Sequence, residues 1–278
     1  MLSTLRPLHE NEIVMMKRCF PLFILIAQWN LLFVTIGSAS AEPFAPKQDT
    51  LPVAPPADAI SLLDDAGNCK FVSMAGEAIN WKLNEGVLTA VDRPHIDHPN
   101  HIVSLLHFRD ADIHVEFMLP EQTDGNSGIY IHGHYELQIF NSLGKDELSF
   151  KEMGAIYKIS QPLVNATRPP DDWQVLDIRY RAPVRDNAGQ ISEEGSLTAW
   201  LNGHLVQDEA RFGEPASQYH CYRFGATPYL DVIGKRQTRT MTGPVFLQEH
   251  LCPVSFRNVW VRPLDDAAFF YDPDAPSK

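Results

Sequence analysis

Residues 112–142 read DIHVEFMLPEQTDGNSGIYIHGHYELQIFNS, and this stretch decides the fold class. In its first run, apolar and polar residues alternate, so Ile113, Val115 and Phe117 fall on one face of an extended strand. Pro120 ends that strand because proline has no backbone N–H to donate. Two further short apolar runs follow, joined by a Gly-His turn, so the stretch predicts successive β-strands.

The last strand of this stretch carries polar residues on one face. Tyr135, Leu137 and Ile139 point to one side of it, while Glu136 and Gln138 point to the other. Such a polar face either meets solvent or forms the floor of a binding site. The carboxylate can accept a proton, and the amide can both donate and accept hydrogen bonds, as a hydroxyl-rich ligand requires.

Short strands separated by turn signals also dominate the rest of the chain. The other predicted strands and hairpins are Trp81–Leu83 with Val87–Thr89, Ile102–Leu106, Trp173–Arg181, Ser196–Leu201 with Leu205–Asp208, and Pro244–Glu249 with Val254–Arg262. Asn202 and Gly203 form the clearest hairpin turn because both residues tolerate positive φ. Residues 183–195 predict a polar hairpin, and residues 209–242 predict a long loop. The pattern predicts an all-β antiparallel sandwich or barrel in which the runs flanking His250 pair with each other.

The N-terminus has the pattern of an export signal. Lys17 and Arg18 precede an apolar run, Phe20–Ile36, and Ala39-Ser40-Ala41 suits a signal-peptidase site. Residues 1–41 are therefore predicted to be a signal peptide, which makes the mature protein secreted or periplasmic, with no stable membrane insertion after cleavage. An uncleaved membrane anchor is the alternative interpretation.

The remainder of the chain divides into three parts. Residues 42–59 are proline-rich and lack periodicity, which predicts an exposed linker. Residues 60–265 are long enough to form one domain with a substantial core. Residues 266–278 are predicted to be a C-terminal tail.

Charge and cysteine content narrow the possible partners. The 278-residue chain has a net charge of −12, which argues against nucleic acid and anionic membranes and is compatible with a neutral sugar. Cys69, Cys221 and Cys252 remain after signal cleavage, and their wide spacing matches neither a disulfide framework nor a zinc site. One disulfide and three free thiols are both compatible with this spacing.

Three histidines at regular intervals raise the question of a metal site. His95, His98 and His101 are interrupted by Pro94 and Pro99, so no helix gathers them, and their spacing matches no zinc signature. We predict a polar loop, with no metal and no other cofactor; divalent-metal binding is the less favoured alternative. The sequence contains no GxSxG, glycine-rich phosphate loop or CxxC, so serine-esterase, nucleotide and thiol-redox chemistry lack support.

The order of several segments resembles that of the 3-keto-disaccharide hydrolase domain family. These are WKLNEGVLT, the stretch quoted first, MGAIYKISQPLVNATRPPDDWQVLDI, LTAWLNGHLV and GPVFLQEHLCPVSFRNVWVRPL. The resemblance runs from about Ile60 to Leu264 and implies a concanavalin-like jelly-roll β-sandwich of two antiparallel sheets. The chain departs from the usual family pattern at His132, where arginine is usual, and at Asn141, where aspartate is common.

The resemblance also implies a substrate and a reaction. The substrate class is a disaccharide or glycoside already oxidised to a ketone at carbon 3. The reaction removes the proton at carbon 2, expels the substituent at carbon 1 and adds water. It needs a base, a donor to the ketone oxygen and an acid for the leaving oxygen. Glu136 and His250 are the predicted proton-transfer residues, with the two roles not divided between them.

Further polar residues are predicted to bind the carbohydrate substrate. They are Gln138, His134, His132, Glu116, Asn165 and Tyr157. Each has a structural alternative, because a strand-face carboxylate, a turn histidine or a packed tyrosine is common without any ligand. A non-catalytic, lectin-like carbohydrate-binding module is the alternative function, since the same fold and polar strand face would serve it.

Overall fold

The computed structural model describes residues 46–92 and 98–273, which are mostly β-structure. The elements are β1 (Ile60–Leu63), β2 (Phe71–Ser73), β3 (Lys82–Asn84), β4 (Val87–Thr89), β5 (Ile102–Ser104), β6 (Leu106–His107), β7 (Ala111–Met118), β8 (Ser127–Ile131), β9 (Tyr135–Ile139), β10 (Trp173–Arg181), β11 (Val184–Arg185), β12 (Ile191–Glu193), β13 (Gly195–Leu201), β14 (His204–Phe212), α1 (Pro228–Thr240), β15 (Val245–Leu247), β16 (Ser255–Pro263) and β17 (Phe269–Phe270). The predicted all-β class is confirmed.

Most strands belong to two antiparallel sheets that form a sandwich. The larger sheet has the order β14-β13-β10-β7-β16-β4-β3, with β1 also paired to β16. The smaller sheet has the order β2-β5-β15-β8-β9. The predicted polar hairpin at residues 183–195 corresponds to the β11–β12 pair.

The core lies between the sheets because the strands alternate inward and outward side chains. Val115 of β7 and Leu137 of β9 belong to one buried apolar cluster. Burial of one such side chain contributes about 1.5–3 kcal/mol. Their strand neighbours point the other way, so Glu116 and Glu136 lie on opposite outer faces of the sandwich.

The predicted pairing of the two runs that flank His250 is wrong. β15 pairs with β5 and β8 in the smaller sheet, whereas β16 pairs with β1, β4 and β7 in the larger sheet. The intervening turn carries the chain from one sheet to the other, with Leu251 at a φ of 59°. Two apolar runs around a short polar turn fit a corner between sheets as well as a hairpin.

Part of the segment predicted to be a long loop is a helix. α1 begins after Thr227, whose hydroxyl oxygen accepts a hydrogen bond from Leu230 N at 3.2 Å. Leu230 and Ile233 pack with Tyr130 and Phe246 on the outer face of the smaller sheet. The helix therefore covers part of this face and leaves the rest to a cavity. Its sequence is mostly polar, so it shows little of the apolar repeat by which helices are detected.

The segment before β1 contacts the outer face of the larger sheet, so the prediction of an exposed linker is wrong at Gln48 and Val53. Gln48 is 3% exposed, and its Nε2 donates to Asp177 Oδ2 at 2.5 Å. Val53 N donates to Glu116 Oε1 at 2.7 Å, and Val53 O accepts from Asn258 Nδ2 at 2.7 Å. The buried polar groups of the sheet account for this docking, because each gains a hydrogen-bond partner.

The predicted C-terminal tail also contributes to the fold. β17 pairs with β6, and Tyr271 N donates to Leu105 O at 2.8 Å. Residues 274–278 and the predicted signal peptide lie outside the described residues. Within residues 46–92 and 98–273, no helix is long and apolar enough to cross a membrane.

The three cysteines in the described residues, Cys69, Cys221 and Cys252, are free thiols. Cys221 and Cys252 are buried, and Cys69 is half-buried. Burial raises the pKa of Cys221 well above its usual value, so this thiol stays protonated. Of the two alternatives left open by the sequence, the structure contains the free thiols.

Candidate active site

A cavity of about 550 Å³ opens on the outer face of the smaller sheet. Its floor consists of outward side chains of β8, β9 and the residues just after β15, and its rim comes from the loops after β9, β14 and β15. A volume of this size suits a small ligand. The structure brings four predicted site residues, Glu136, Gln138, Tyr157 and His250, to this one cavity. Their chemical roles stay predictions.

Glu136 lies on the floor of the cavity with 6% of its surface exposed. Its Oε1 accepts a hydrogen bond from Gln248 Nε2 at 3.1 Å, and the Tyr130 hydroxyl is a second partner. Burial raises the pKa of Glu136 to about 7, and these hydrogen bonds offset only part of the rise. A carboxyl group that titrates near neutrality is suited to take up and release a proton at neutral pH.

Gly128 makes room for this carboxylate. It lies on β8, beside the strand that carries Glu136. A Cβ atom on Gly128 would lie 2.6 Å from Glu136 Oε1, which is closer than real Cβ atoms approach another heavy atom. The glycine of residues 126–129, which read NSGI, therefore serves the site directly.

Gln248 connects Glu136 to Tyr130 and presents an unused acceptor. Its Nε2 donates to the Tyr130 hydroxyl oxygen at 2.9 Å as well as to Glu136. Because the Tyr130 oxygen accepts this bond, its own proton is available to Glu136. Gln248 Oε1 is buried and has no hydrogen-bond partner within the described ranges. A ligand hydroxyl would satisfy it.

Gln138, Asn126 and His250 form a chain of polar contacts along one wall of the cavity. Gln138 Nε2 donates to Ile139 O at 3.2 Å and to Asn126 Oδ1 at 3.0 Å. Asn126 Nδ2 lies 3.2 Å from His250 Nδ1. The amide on the strand face is thus connected through one residue to the imidazole at the cavity edge.

The turn that carries His250 is held on both sides. Glu249 N donates to His101 Nδ1 at 3.2 Å, and Leu251 N donates to Glu249 Oε1 at 2.6 Å. The His101 ring stacks on the Tyr130 ring, with centroids 6.0 Å apart. The position of His250 is therefore fixed relative to the floor of the cavity.

The rim of the cavity is aromatic and partly exposed. Tyr219 and Phe224 are 44% and 49% exposed, and their rings meet edge to face with centroids 5.5 Å apart. Tyr157 lines the same rim, and its ring lies 6.1 Å from that of Phe150. Such rings offer a large apolar surface for stacking against a ligand.

His132 and His134, predicted to bind substrate, lie outside this cavity. His132 Nδ1 lies 3.2 Å from the Tyr180 hydroxyl, and the His134 ring packs against His220 and Tyr222. Burial lowers the pKa of each of the two histidines to about 3, so both rings are neutral. The chain reverses between them, with His132 itself at a φ of 56°, so the His132 side chain is buried and the His134 side chain is half-buried.

Glu116 does not reach the cavity either, because its strand belongs to the other sheet and its side chain points to the opposite outer face. There it forms a salt bridge with Arg257 at 2.8 Å and accepts a hydrogen bond from Asn258 Nδ2 at 2.8 Å. The predicted substrate contact is therefore corrected to a structural ion pair.

Asn165 acts on the loop after β9 and does not line the cavity. Its Nδ2 donates to Ser142 O at 2.6 Å and to Lys145 O at 3.0 Å. Lys145 lies on the rim, so Asn165 supports the rim from behind. Its predicted direct contact with substrate has no geometric basis.

In the part of the chain that the structure describes, no group of three or more His, Cys, Asp or Glu side chains is arranged to hold a metal ion. His95 lies outside that part. His98 Nδ1 contacts Pro99 O at 2.8 Å, whereas His101 lines the cavity. The two described histidines of the predicted polar loop therefore have different surroundings.

Sequence analysis does not identify Tyr130, Gln248, His101 or Asn126 as residues of this site. A signal exists for Gln248, which shares strand parity with His250. Tyr130 lies opposite Glu136 across the β8–β9 pair, a relation that only the strand register reveals.

Comparison with known proteins agrees with this architecture. The profile of the 3-keto-alpha-glucoside-1,2-lyase-like domain matches residues 58–262. A crystal structure from Parabacteroides distasonis ATCC 8503, described as a "putative glycosyl hydrolase", is 30% identical, with a TM-score of 0.61 over 75% of this chain and 84% of that one. A second protein of that description from the same organism is 18% identical, with a TM-score of 0.47 over 70% and 89% of the two chains. No curated protein matches the chain. The family resemblance is thereby confirmed: the chain belongs to the 3-keto-alpha-glucoside-1,2-lyase-like domain family.

Proposed function

We propose that the protein cleaves glycosides whose sugar has been oxidised to a ketone at carbon 3, with Glu136 as the base. Family membership supports the substrate class. The observation that carries the proposal is the raised pKa of Glu136, about 7, on the floor of a cavity of about 550 Å³. Such a group is a stronger base than an ordinary carboxylate and is still ionised in part at neutral pH.

The reaction begins at the carbon next to the ketone. Glu136 takes the proton from carbon 2, and the electrons of that bond form an enediolate whose charge lies on the ketone oxygen. Collapse of the enediolate re-forms the ketone, creates a double bond between carbons 1 and 2, and expels the carbon-1 oxygen with its substituent. Water then adds across the double bond: its hydroxyl group bonds to carbon 1, its remaining proton passes to the expelled oxygen, and the protonated Glu136 returns a proton to carbon 2.

The cavity offers acceptors for the sugar hydroxyls. Both N–H groups of Gln138 are used within the protein, so its Oε1 is available to accept a hydrogen bond. The buried Gln248 Oε1 is the second acceptor. Together these two oxygens would orient the ring so that carbon 2 faces Glu136.

Glu152, another carboxylate of the cavity, has its own partners within the protein. It accepts hydrogen bonds from Lys145 Nζ at 2.8 Å and from the Ser142 hydroxyl at 2.9 Å. Burial alone would raise the pKa of Glu152, but these bonds lower it overall, so it remains ionised. The proposed reaction needs one base next to the ketone and assigns no proton transfer to Glu152.

We also propose that residues 1–41 direct export, so that the enzyme meets its substrate outside the cell or in the periplasm. The basic residues, apolar run and small-residue site of the N-terminus support this. N-terminal sequencing of the mature protein from its host tests it, with Glu42 expected as the first residue. A mature chain that begins at the initiating methionine would contradict cleavage.

The proposed reaction is tested with a purified 3-keto-glucoside. Release of the carbon-1 substituent is followed for the wild type and for Glu136→Gln, with the exposed β3 residue variant Asn84→Asp as a matched control. We expect the Glu136 variant to lose roughly 100-fold or more in rate, as removal of a proton-transfer group does, and the control to be unaffected. Normal turnover by Glu136→Gln would remove the assignment. Binding of unmodified oligosaccharides, with no turnover of keto-sugars by the wild type, would identify a carbohydrate-binding module instead.

A further inference from the structure

We infer that Asn126 fixes the tautomer of His250, and that His250 therefore donates a hydrogen bond from Nε2–H to the ketone oxygen of the substrate. The inference rests on the proposed function and replaces the proton-transfer role that the sequence predicts for His250 with a hydrogen-bonding role. Glu136 removes the carbon-2 proton. His250 stabilises the enediolate oxygen that then forms, and His250 does not itself transfer a proton.

The first step concerns the orientation of two amides. Ile139 O can only accept a hydrogen bond, so the Gln138 atom that lies 3.2 Å from it must be the NH₂ group. The same NH₂ group lies 3.0 Å from one side-chain atom of Asn126, which must then be the carbonyl oxygen. A backbone carbonyl of β9 thus determines which way both side chains are turned.

The second step follows from the orientation of Asn126. With its oxygen directed to Gln138, its NH₂ group faces His250 Nδ1 at 3.2 Å. An amide NH₂ group can only donate, so Nδ1 must carry the lone pair. In the neutral imidazole the proton then resides on Nε2.

The third step concerns what the imidazole can do in the cavity. Within the described residues, His250 Nε2 makes no hydrogen bond, and the ring lines the cavity edge. In this tautomer Nε2 has a proton and no lone pair, so it cannot abstract the carbon-2 proton. It can donate a hydrogen bond to an oxygen on which negative charge develops. The reaction requires such a donor to the ketone oxygen, and Glu136, Tyr130 and Gln248 do not supply it.

Two variants should reverse the tautomer. Asn126→Asp places an acceptor against Nδ1, which then holds the proton, so that Nε2 presents a lone pair to the ketone oxygen. Gln138→Glu acts indirectly, through Asn126. The new carboxylate attracts the Asn126 NH₂ group, so the Asn126 oxygen turns toward His250. Two control variants accompany them. Asn84→Asp changes a residue outside the site, and Glu136→Gln replaces the proposed catalytic base.

The tautomer is measured directly by nitrogen–proton correlation in protein labelled with ¹⁵N-histidine, with the His250 signal assigned by its loss in His250→Ala. The wild type should show the Nε2–H form at neutral pH, and both tautomer variants the Nδ1–H form. A wild-type ring protonated at Nδ1, or at both nitrogens, would overturn the inference. This readout needs no substrate, so it remains decisive if the proposed reaction is wrong.

The chemical consequence is measured as exchange of the carbon-2 proton of a methyl 3-keto-glucoside with deuterium from solvent. Loss of one donor to a developing oxyanion lowers a rate by about 100-fold to 1,000-fold, and we expect a loss of this size in both tautomer variants. Exchange at the wild-type rate in both variants, each shown to be folded by circular dichroism, would refute the role of His250. Wild-type protein that catalyses no exchange would instead refute the proposed function, as would exchange at the wild-type rate by Glu136→Gln.

Discussion

Replacement of Glu136 by glutamine should stabilise the folded protein at neutral and alkaline pH while it removes the proposed base. The substitution removes one buried titratable group and keeps the shape of the side chain. The new amide oxygen can accept the hydrogen bonds from Gln248 Nε2 and the Tyr130 hydroxyl. The new NH₂ group adds a donor beside Gln248, whose buried Oε1 has no partner within the described residues.

The size of the effect follows from the pKa. Burial raises the pKa of Glu136 from 4.5 to about 7 in the folded protein, and each unit of difference corresponds to about 1.4 kcal/mol. Ionisation of this group therefore destabilises the folded state by about 3 kcal/mol. Because the folded pKa is the higher one, the native state retains a proton that the unfolded state releases. The free energy of unfolding of the wild type should therefore fall, relative to the variant, as the pH rises from about 4.5 to about 7.

Urea unfolding of the two proteins between about pH 4 and about pH 8 measures this difference. All other titratable groups are common to both proteins, so to a first approximation their contributions cancel in the comparison. The variant should gain little at the acidic end and about 3 kcal/mol at the alkaline end. If the difference in free energy of unfolding between the two proteins stayed constant over this range, or grew toward acidic pH, the claim that hydrogen bonds do not fully offset the burial of the Glu136 carboxylate would be refuted.

Three other predictions follow from individual contacts. Gly128→Ala should displace the Glu136 carboxylate, because the added Cβ would lie 2.6 Å from Oε1; we expect a loss of turnover with little change in the circular dichroism spectrum, and full turnover would contradict the packing. Gln48→Ala should lower the free energy of unfolding by about 1–3 kcal/mol, since the buried Asp177 carboxylate of β10 loses the hydrogen bond from Gln48 and keeps its contact with His114, and urea unfolding that matches the wild type would show that this docking is weak. The free energy of unfolding of the wild type should also fall as the pH drops from about 6.5 toward 3, because His132 and His134, with folded pKa values of about 3, take up protons on unfolding. In urea unfolding, the free energy of unfolding of His134→Phe should depend less steeply on pH in this acidic range, and an unchanged dependence would contradict this.

Much of the fold follows from strand alternation in the sequence. The predicted strand at Trp173–Arg181 coincides with β10, and the turn at Asn202 and Gly203 joins β13 to β14. The errors occur where local pattern does not determine the partner. The runs flanking His250 have the alternation of strands, but which sheet each joins depends on contacts distant in sequence. The sequence does not reveal α1 for a related reason, because Leu230 and Ile233 are the only apolar residues of this helix that are buried, and most helical stability comes from packing.

The candidate site was predictable only in part. Parity on β9 places Glu136 and Gln138 on the outer face, and the structure brings both to the cavity. Tyr130 could not be found in this way, because its relation to Glu136 is a cross-strand pairing and the sequence does not give the register. The error at His132 has a different cause: a histidine next to a glycine turn is polar in the sequence, but in the fold its ring is buried and neutral.

Glu116 and Glu136 are both buried carboxylates at outward-facing positions of their strands, and the contrast between them shows that burial alone does not make a functional site. Burial would raise the pKa of Glu116 as it does that of Glu136, but hydrogen bonds from His114, Asn258 and Arg257 outweigh burial and lower the pKa of Glu116 overall. Within the described residues, the hydrogen-bond partners of Glu136 are the neutral side chains of Tyr130 and Gln248, so burial dominates. On the outer face of the larger sheet, the charge of Glu116 is therefore neutralised by a salt bridge within the protein. A ligand would have to break this salt bridge to bind the carboxylate. The smaller sheet leaves one carboxyl group with its two protonation states close in free energy at neutral pH, and this is the property that proton abstraction next to a ketone requires.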